Sequence, residues 1–154
     1  AGGNLAAAVC LMARDRGGPA ICGQYLSIPV TDLTMSCPSI QSNGEGYMLT
    51  RAGMEECRDF YTPNREDRVH PHASPLLAPD LTGLPPALII TAEYDPLRDE
   101  GEAYGQRLVE AGVTVTMKRA LGHIHGSMMM TSLIPDAVQY ERLAHSFLRA
   151  VSAS

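Results

Sequence analysis

Apolar residues recur along this chain in two rhythms, one suited to helices and one to buried strands. Residues 1–12 (AGGNLAAAVCLM) are small and apolar, and predict a helix running on to Arg14 or Arg16. No capping side chain precedes it, although a helix start leaves about four backbone N–H groups in need of partners. Gly17-Gly18-Pro19 breaks the pattern, and residues 21–30 (ICGQYLSIPV) read as a buried strand. Residues 31–46, rich in Thr, Ser, Pro and Gly, read as a loop. Residues 49–61 form a candidate helix with Thr50 as N-cap, weakened by Gly53. Residues 62–86 are proline-rich and irregular, too long for a simple connector, and are expected to wrap a surface or site.

The second half is more regular. ALIITA at 87–92 is a short continuous apolar run, as a buried parallel strand requires. Residues 99–111 follow as a helix, with Ala103, Leu108 and Ala111 among its apolar positions and Gly112 as its C-cap. Residues 113–118 (VTVTMK) alternate as a strand, and 122–126 form a turn holding two histidines. Residues 136–150 predict a last helix, with Val138, Leu143, Phe147 and Val151 near helical spacing. Strand, helix, strand, helix in this order indicates an α/β fold, a mostly parallel sheet flanked by helices and joined by right-handed crossovers. There is no internal repeat.

Composition narrows the possible functions. The 154 residues are 45% hydrophobic and 19% charged, enough for one domain with a sizeable core. Twelve Lys and Arg against 17 Asp and Glu give a net charge of −5, which disfavours a nucleic-acid partner. No apolar stretch approaches the roughly 20 residues of a membrane span. Cys10, Cys22, Cys37 and Cys57 form no C-x-x-C pair, and are expected to be free, mostly buried thiols in a reducing, cytoplasmic setting.

In open α/β sheets, sites lie at the carboxyl ends of strands. Two polar clusters fall there, Tyr94-Asp95-Pro96-Leu97-Arg98-Asp99 after ALIITA and Gly122-His123-Ile124-His125-Gly126 after VTVTMK. The strands before them are sequential, so Asp95 and a histidine can meet. A carboxylate on an imidazole N–H fixes the tautomer and stabilises the imidazolium formed in proton transfer. Taken singly, the Asp can equally be the N-cap of the next helix and the His a surface residue. A nucleophile is missing.

The residues also carry a resemblance. AGGNLAAAV at the start is similar to the stretch just after the nucleophilic serine in hormone-sensitive-lipase-like carboxylesterases, where the elbow reads Gly-Asp-Ser-Ala-Gly-Gly-Asn. Residues 74–113, with DPLRDEG at their centre, resemble the acid-bearing block of that family, and GHIHGS at 122–127 its histidine block. The order, serine then acid then histidine, is that of α/β-hydrolases. The resemblance implies that this chain is the C-terminal portion of one α/β-hydrolase domain, about the last three strands of an eight-stranded sheet. By position, Asp95 matches the triad acid and His125 the base, while His123 matches neither. Ala1 matches the residue after the nucleophile, whose backbone N–H helps form the oxyanion hole. The serine and the Gly-rich oxyanion loop would then lie outside this chain. Ser74 and Ser127 do not replace the serine, because neither sits in a G-x-S-x-G elbow. An open, apolar sheet edge and dependence on the missing N-terminal segment are expected, with the chain inactive by itself.

Residues 31–73 resemble part of the family's substrate-covering cap. Met48, Leu49, Phe60 and Tyr61 are candidates to line the pocket, or else ordinary helix packing, and Leu97 is expected to face the site. Met128, Met129 and Met130 read as core filler. The resemblance implies a serine carboxylesterase acting on small to medium acyl esters, with no metal or other cofactor. Two alternatives stand beside it. One is a ligand-binding relative that has lost catalysis. The other is a metal-dependent hydrolase built on the pairs His70-Pro71-His72 and His123-Ile124-His125, since residues i and i+2 share a face on a strand.

Overall fold

A computed structural model describes residues 1–153. Its centre is a three-stranded parallel sheet in the order β1 (Gln24–Ser27), β2 (Ala87–Tyr94), β3 (Val115–Ile124). The middle strand is buried on both faces, which explains its unbroken run of apolar residues. On one face, Ile89 and Leu26 meet Ala7 and Leu11 of α1 (Gly2–Asp15) and Tyr104 and Leu108 of α4 (Arg98–Glu110). On the other, Leu88, Ile90 and Ala92 meet Tyr140 and Ala144 of α5 (Val138–Ser152). The last helix thus buries Tyr140 and Ala144, with Leu143 and Phe147 packed beside them and Val138 half-buried in its first turn. Among the described residues, no helix is long and apolar enough to cross a membrane.

Side-chain chemistry sets the helix ends. The first turn of α1 has no side-chain cap, as its sequence predicts. At α3 (Arg51–Tyr61) the Thr50 hydroxyl accepts the Gly53 N–H at 3.1 Å, so Gly53 lies inside the helix without ending it. Thr50→Ala is expected to cost about 1 kcal/mol. Faster hydrogen exchange at the Gly53 amide, with the α5 amides unchanged, is the check. After α4, Gly112 has φ +80° and donates to Val109 O, while Val113 donates to Leu108 O. That pair of bonds is a Schellman turn, and its left-handed residue favours glycine. Gly105 serves a different need, because a Cβ there would lie 3.0 Å from Ile89 Cδ1 and closer still to Met117. Helix α4 can therefore press close against β2 and β3.

Several predicted boundaries move. The strand expected over 21–30 pairs only at Gln24–Ser27, because Ile28 takes a left-handed φ of +43° and Pro29 lacks an N–H. The loop expected over 31–46 holds a short helix, α2 (Ser39–Ser42). The strand expected over 113–118 begins two residues later, since Val113 is tied to Leu108, and it runs on to Ile124. Gly122 and His123 therefore belong to β3, and the histidine turn is shorter than expected. Only one cysteine, Cys10, is buried; Cys22 and Cys57 are exposed and Cys37 is intermediate. The expectation of mostly buried thiols fails because Cys22 lies in the connector before β1 and Cys57 on the side of α3 that borders an open cleft. All four are free in this structure.

Candidate active site

The ends of β2 and β3 are brought level by an irregularity in their pairing. Ala92 pairs with Ala120, but Tyr94 pairs with Ile124, so β3 spends two more residues than β2 over the same length. Glu93 caps this bulge by accepting the Gly122 N–H at 2.7 Å. The residues after the two paired ends are Asp95 and His125. Their side chains meet, with His125 Nδ1 2.8 Å from Asp95 Oδ2.

Asp95 is held from several directions. Its side chain is 1% exposed, and Oδ1 accepts the Leu97 N–H at 2.9 Å, which leaves Oδ2 for the imidazole. Asn43 Nδ2 donates to the Asp95 carbonyl at 3.2 Å. A carboxylate at Nδ1 selects the tautomer protonated there. Nε2 is then the nitrogen free to exchange a proton, and the 24% exposed side chain of His125 borders an open cleft.

That cleft has a volume of about 370 Å³ and is mostly apolar. Ala1, Asn4 and Leu5 of the first helix and its cap border one side, and Val30, Asp32, Leu33 and Met35 another. Leu49, Met54, Arg58 and Tyr61 close it from the α3 side, and Leu97 lies beneath. Asn4 fastens α1 to this frame by donating to Val30 O at 3.0 Å and Ala73 O at 2.8 Å. The buried Asp32 carboxylate accepts from the N–H and hydroxyl of both Thr34 and Ser36, which fixes the turn on that side.

The structure thus brings Asp95, His125, Ala1 and Leu97 to one cleft. It does not bring Met48 or Phe60 there. They are 66% and 80% exposed, and the same segment presents Leu49, Met54 and Tyr61 instead. His123 points elsewhere. It is 5% exposed, with Nδ1 2.8 Å from Ser127 Oγ, Nε2 3.3 Å from Asp136 Oδ2, and its ring edge-on to Tyr140. Ser127 Oγ is further occupied by the N–H and carbonyl of Ile124, and buried Ser74 Oγ by Leu33 N–H and Arg68 O. Both serines tie loops together and neither borders the cleft. In the methionine run only Met128 is core; Met129 is 62% exposed, because this run forms a short 3-10 turn after the histidine.

The two H-x-H pairs do not form one site. His70 Nδ1 already accepts the His72 N–H, and burial together with the neighbouring His70 and Arg16 holds the His72 imidazole below its usual pKa. His123 and His125 take different partners. Among the described residues, no group of three or more His, Cys, Asp or Glu is gathered as a metal ion requires.

Comparison with known proteins fits this geometry. Residues 1–129 match the family described as alpha/beta hydrolase fold. The chain is 38% identical over 142 residues to the carboxylesterase NlhH of Mycobacterium tuberculosis, a match covering 90% of this chain and 44% of that protein. A thermostable esterase from Pseudomonas putida superposes with a TM-score of 0.89 at 44% identity, over 93% of this chain and 46% of its own. An esterase from Pyrobaculum calidifontis gives a TM-score of 0.93 at 37% identity, over 99% of this chain and 51% of its own. The chain spans about half the length of these relatives.

Proposed function

The chain belongs to the alpha/beta-hydrolase fold family, and from that premise we propose that it supplies the acid and base of a serine carboxylesterase. The observation that carries the proposal is the 2.8 Å contact of His125 Nδ1 with buried Asp95 Oδ2 at the rim of an apolar cleft. The nucleophilic serine is assigned to the residue that precedes Ala1 in a longer polypeptide, which also carries the rest of the sheet. Ala1 borders the same cleft as His125, where such a serine has to be.

Each group then has one task. The serine oxygen attacks the ester carbonyl carbon while His125 Nε2 takes its proton. Asp95 holds the imidazole in the productive tautomer and stabilises the imidazolium. The backbone N–H of Ala1, once peptide-linked, donates to the developing oxyanion. His125 passes its proton to the departing alcohol, leaving an acyl-enzyme. Water, deprotonated by the same nitrogen, releases the acid and restores the serine. The cleft is mostly apolar and modest in size, which suits small to medium acyl groups. Residues 31–73, which provide most of its border, are assigned to the substrate-covering region.

Hydrolysis of chromogenic esters of two to eight acyl carbons by the longer polypeptide tests this reading. Turnover that favours the shorter chains and survives a chelator is expected. Turnover abolished by the chelator and restored by a divalent metal would replace the serine mechanism with a metal-dependent one.

A further inference from the structure

We infer that Glu100 is a positioning residue of the proposed esterase site, its buried carboxyl splinting the turn that walls the cleft to the helix that follows Asp95; this rests on the ester-hydrolase reading above. Glu100 lies in the first turn of α4 and is fully buried, at 0% exposure. Its Oε1 accepts two backbone donors, the N–H of Thr31 at 2.6 Å and of Asp32 at 3.1 Å. The Thr31 hydroxyl returns a bond to the Glu100 carbonyl at 2.8 Å. Those contacts fix the start of the turn that sets Asp32, Leu33 and Met35 against the cleft. The turn is strained, with Met35 at φ +58°, a left-handed conformation that costs a non-glycine residue energy. Asp32 holds the turn from within through Thr34 and Ser36, and Glu100 ties its first two residues to α4.

The same two segments are joined again further along. Ser39 Oγ donates to Pro96 O at 2.6 Å, Asp99 Oδ2 accepts the Ser39 N–H at 2.8 Å, and Asn43 reaches the Asp95 carbonyl. Cleft wall and acid loop thus move as one piece, with Glu100 at its centre. One feature of Glu100 is left unsatisfied, since Oε2 is buried without a partner. Burial pushes the carboxyl up to about 8, against the two N–H bonds and with help from the charges of Asp32 and Asp95. The groups around it are Asp32 from the turn, Asp95 from the end of β2, and Asp99 beside it on α4, with Arg98 already engaged by Asp99 and the Glu93 carbonyl. The Cys37 thiol lies within reach of the same charges, and is raised to about 11 by burial and by Glu100, Asp32 and Asp99. A neutral Glu100 keeps a third negative charge away from Asp32 and Asp95.

The carboxyl holds its proton more tightly folded than unfolded. Its contribution to stability is therefore complete below the ordinary Glu range and is lost as pH rises to about 8.

Two variants of the longer polypeptide test the inference. Glu100→Gln keeps an oxygen for both N–H groups and cannot ionise. It is expected to hold KM for a short-chain ester within about twofold at pH 6, while removing the fall in Tm between pH 5 and 8 and the rise in KM above pH 8. Glu100→Leu removes the acceptor, and is expected to raise KM about tenfold at pH 6 with a much smaller change in kcat. An unchanged KM in folded Glu100→Leu, or a Glu100→Gln protein with the wild-type pH dependence, would overturn the inference. If Glu100→Leu does not fold, the Glu100→Gln comparison decides alone. Absence of ester hydrolysis in the unmutated protein would instead sink the esterase reading, and the Tm comparison would still decide whether Glu100 is a protonated splint.

Discussion

Replacing His125 by Ala is expected to lower kcat for a short-chain ester by about 10⁵- to 10⁶-fold, with the fold intact. Among the described residues that line the cleft, no other side chain offers an imidazole to take its place. His123 is buried against Ser127, Asp136 and Tyr140, and the remaining cleft-lining groups include no second imidazole. Asp95→Asn is expected to cost about 10⁴-fold, for a reason visible in its bonds. Oδ1 accepts the Leu97 N–H, so an Asn there keeps its oxygen on Leu97 and turns its NH₂ toward His125 Nδ1. That nitrogen must then accept, the proton moves to Nε2, and the base is lost. The double variant is expected to be no slower than His125→Ala alone, because the pair acts as a unit. Steady-state kinetics on the longer polypeptide, with circular dichroism to confirm folding, measure all three.

The second large effect is on stability. Ile90→Ala is expected to cost about 2–5 kcal/mol, because it empties a methyl-rich position at 0% exposure between the sheet and α5. Lys118→Ala, at the position paired with Ile90 in register, is expected to change stability by less than about 0.5 kcal/mol. The contrast arises because β2 is covered on both faces, while Lys118 and its neighbours on the edge strand β3 lie open. Urea unfolding of the two variants checks it. Equal losses would mean that β3 is as buried as β2 in the folded protein.

Much of this was legible in the sequence where one signal dominates. The run ALIITA read as a buried parallel strand, and Thr50 and Gly112 marked helix ends by their own chemistry. Asp95 and His125 stood out because each follows a strand, although choosing His125 over His123 needed the family resemblance. The β3 bulge, which places one histidine in the cleft and the other in the core, leaves no mark in alternation. Met48 and Phe60 lie off the cleft while Leu49 and Tyr61 border it, because hydrophobicity alone does not say which side of a surface segment faces a cleft. Glu100 was hidden for a related reason. An acidic residue in a first helical turn reads as a favourable partner for the helix dipole. Only the packing shows that the Thr31–Asp32 turn folds over it and removes it from water.

The measurement that tests the central proposal most directly is reaction of the longer polypeptide with a fluorophosphonate ester, followed by peptide mapping of the adduct. One adduct is expected, on a serine joined directly to Ala1, forming at a rate that falls by orders of magnitude in His125→Ala. An adduct on Ser74 or Ser127, or labelling at that serine that proceeds unchanged without His125, would contradict the assignment of Asp95 and His125 as acid and base.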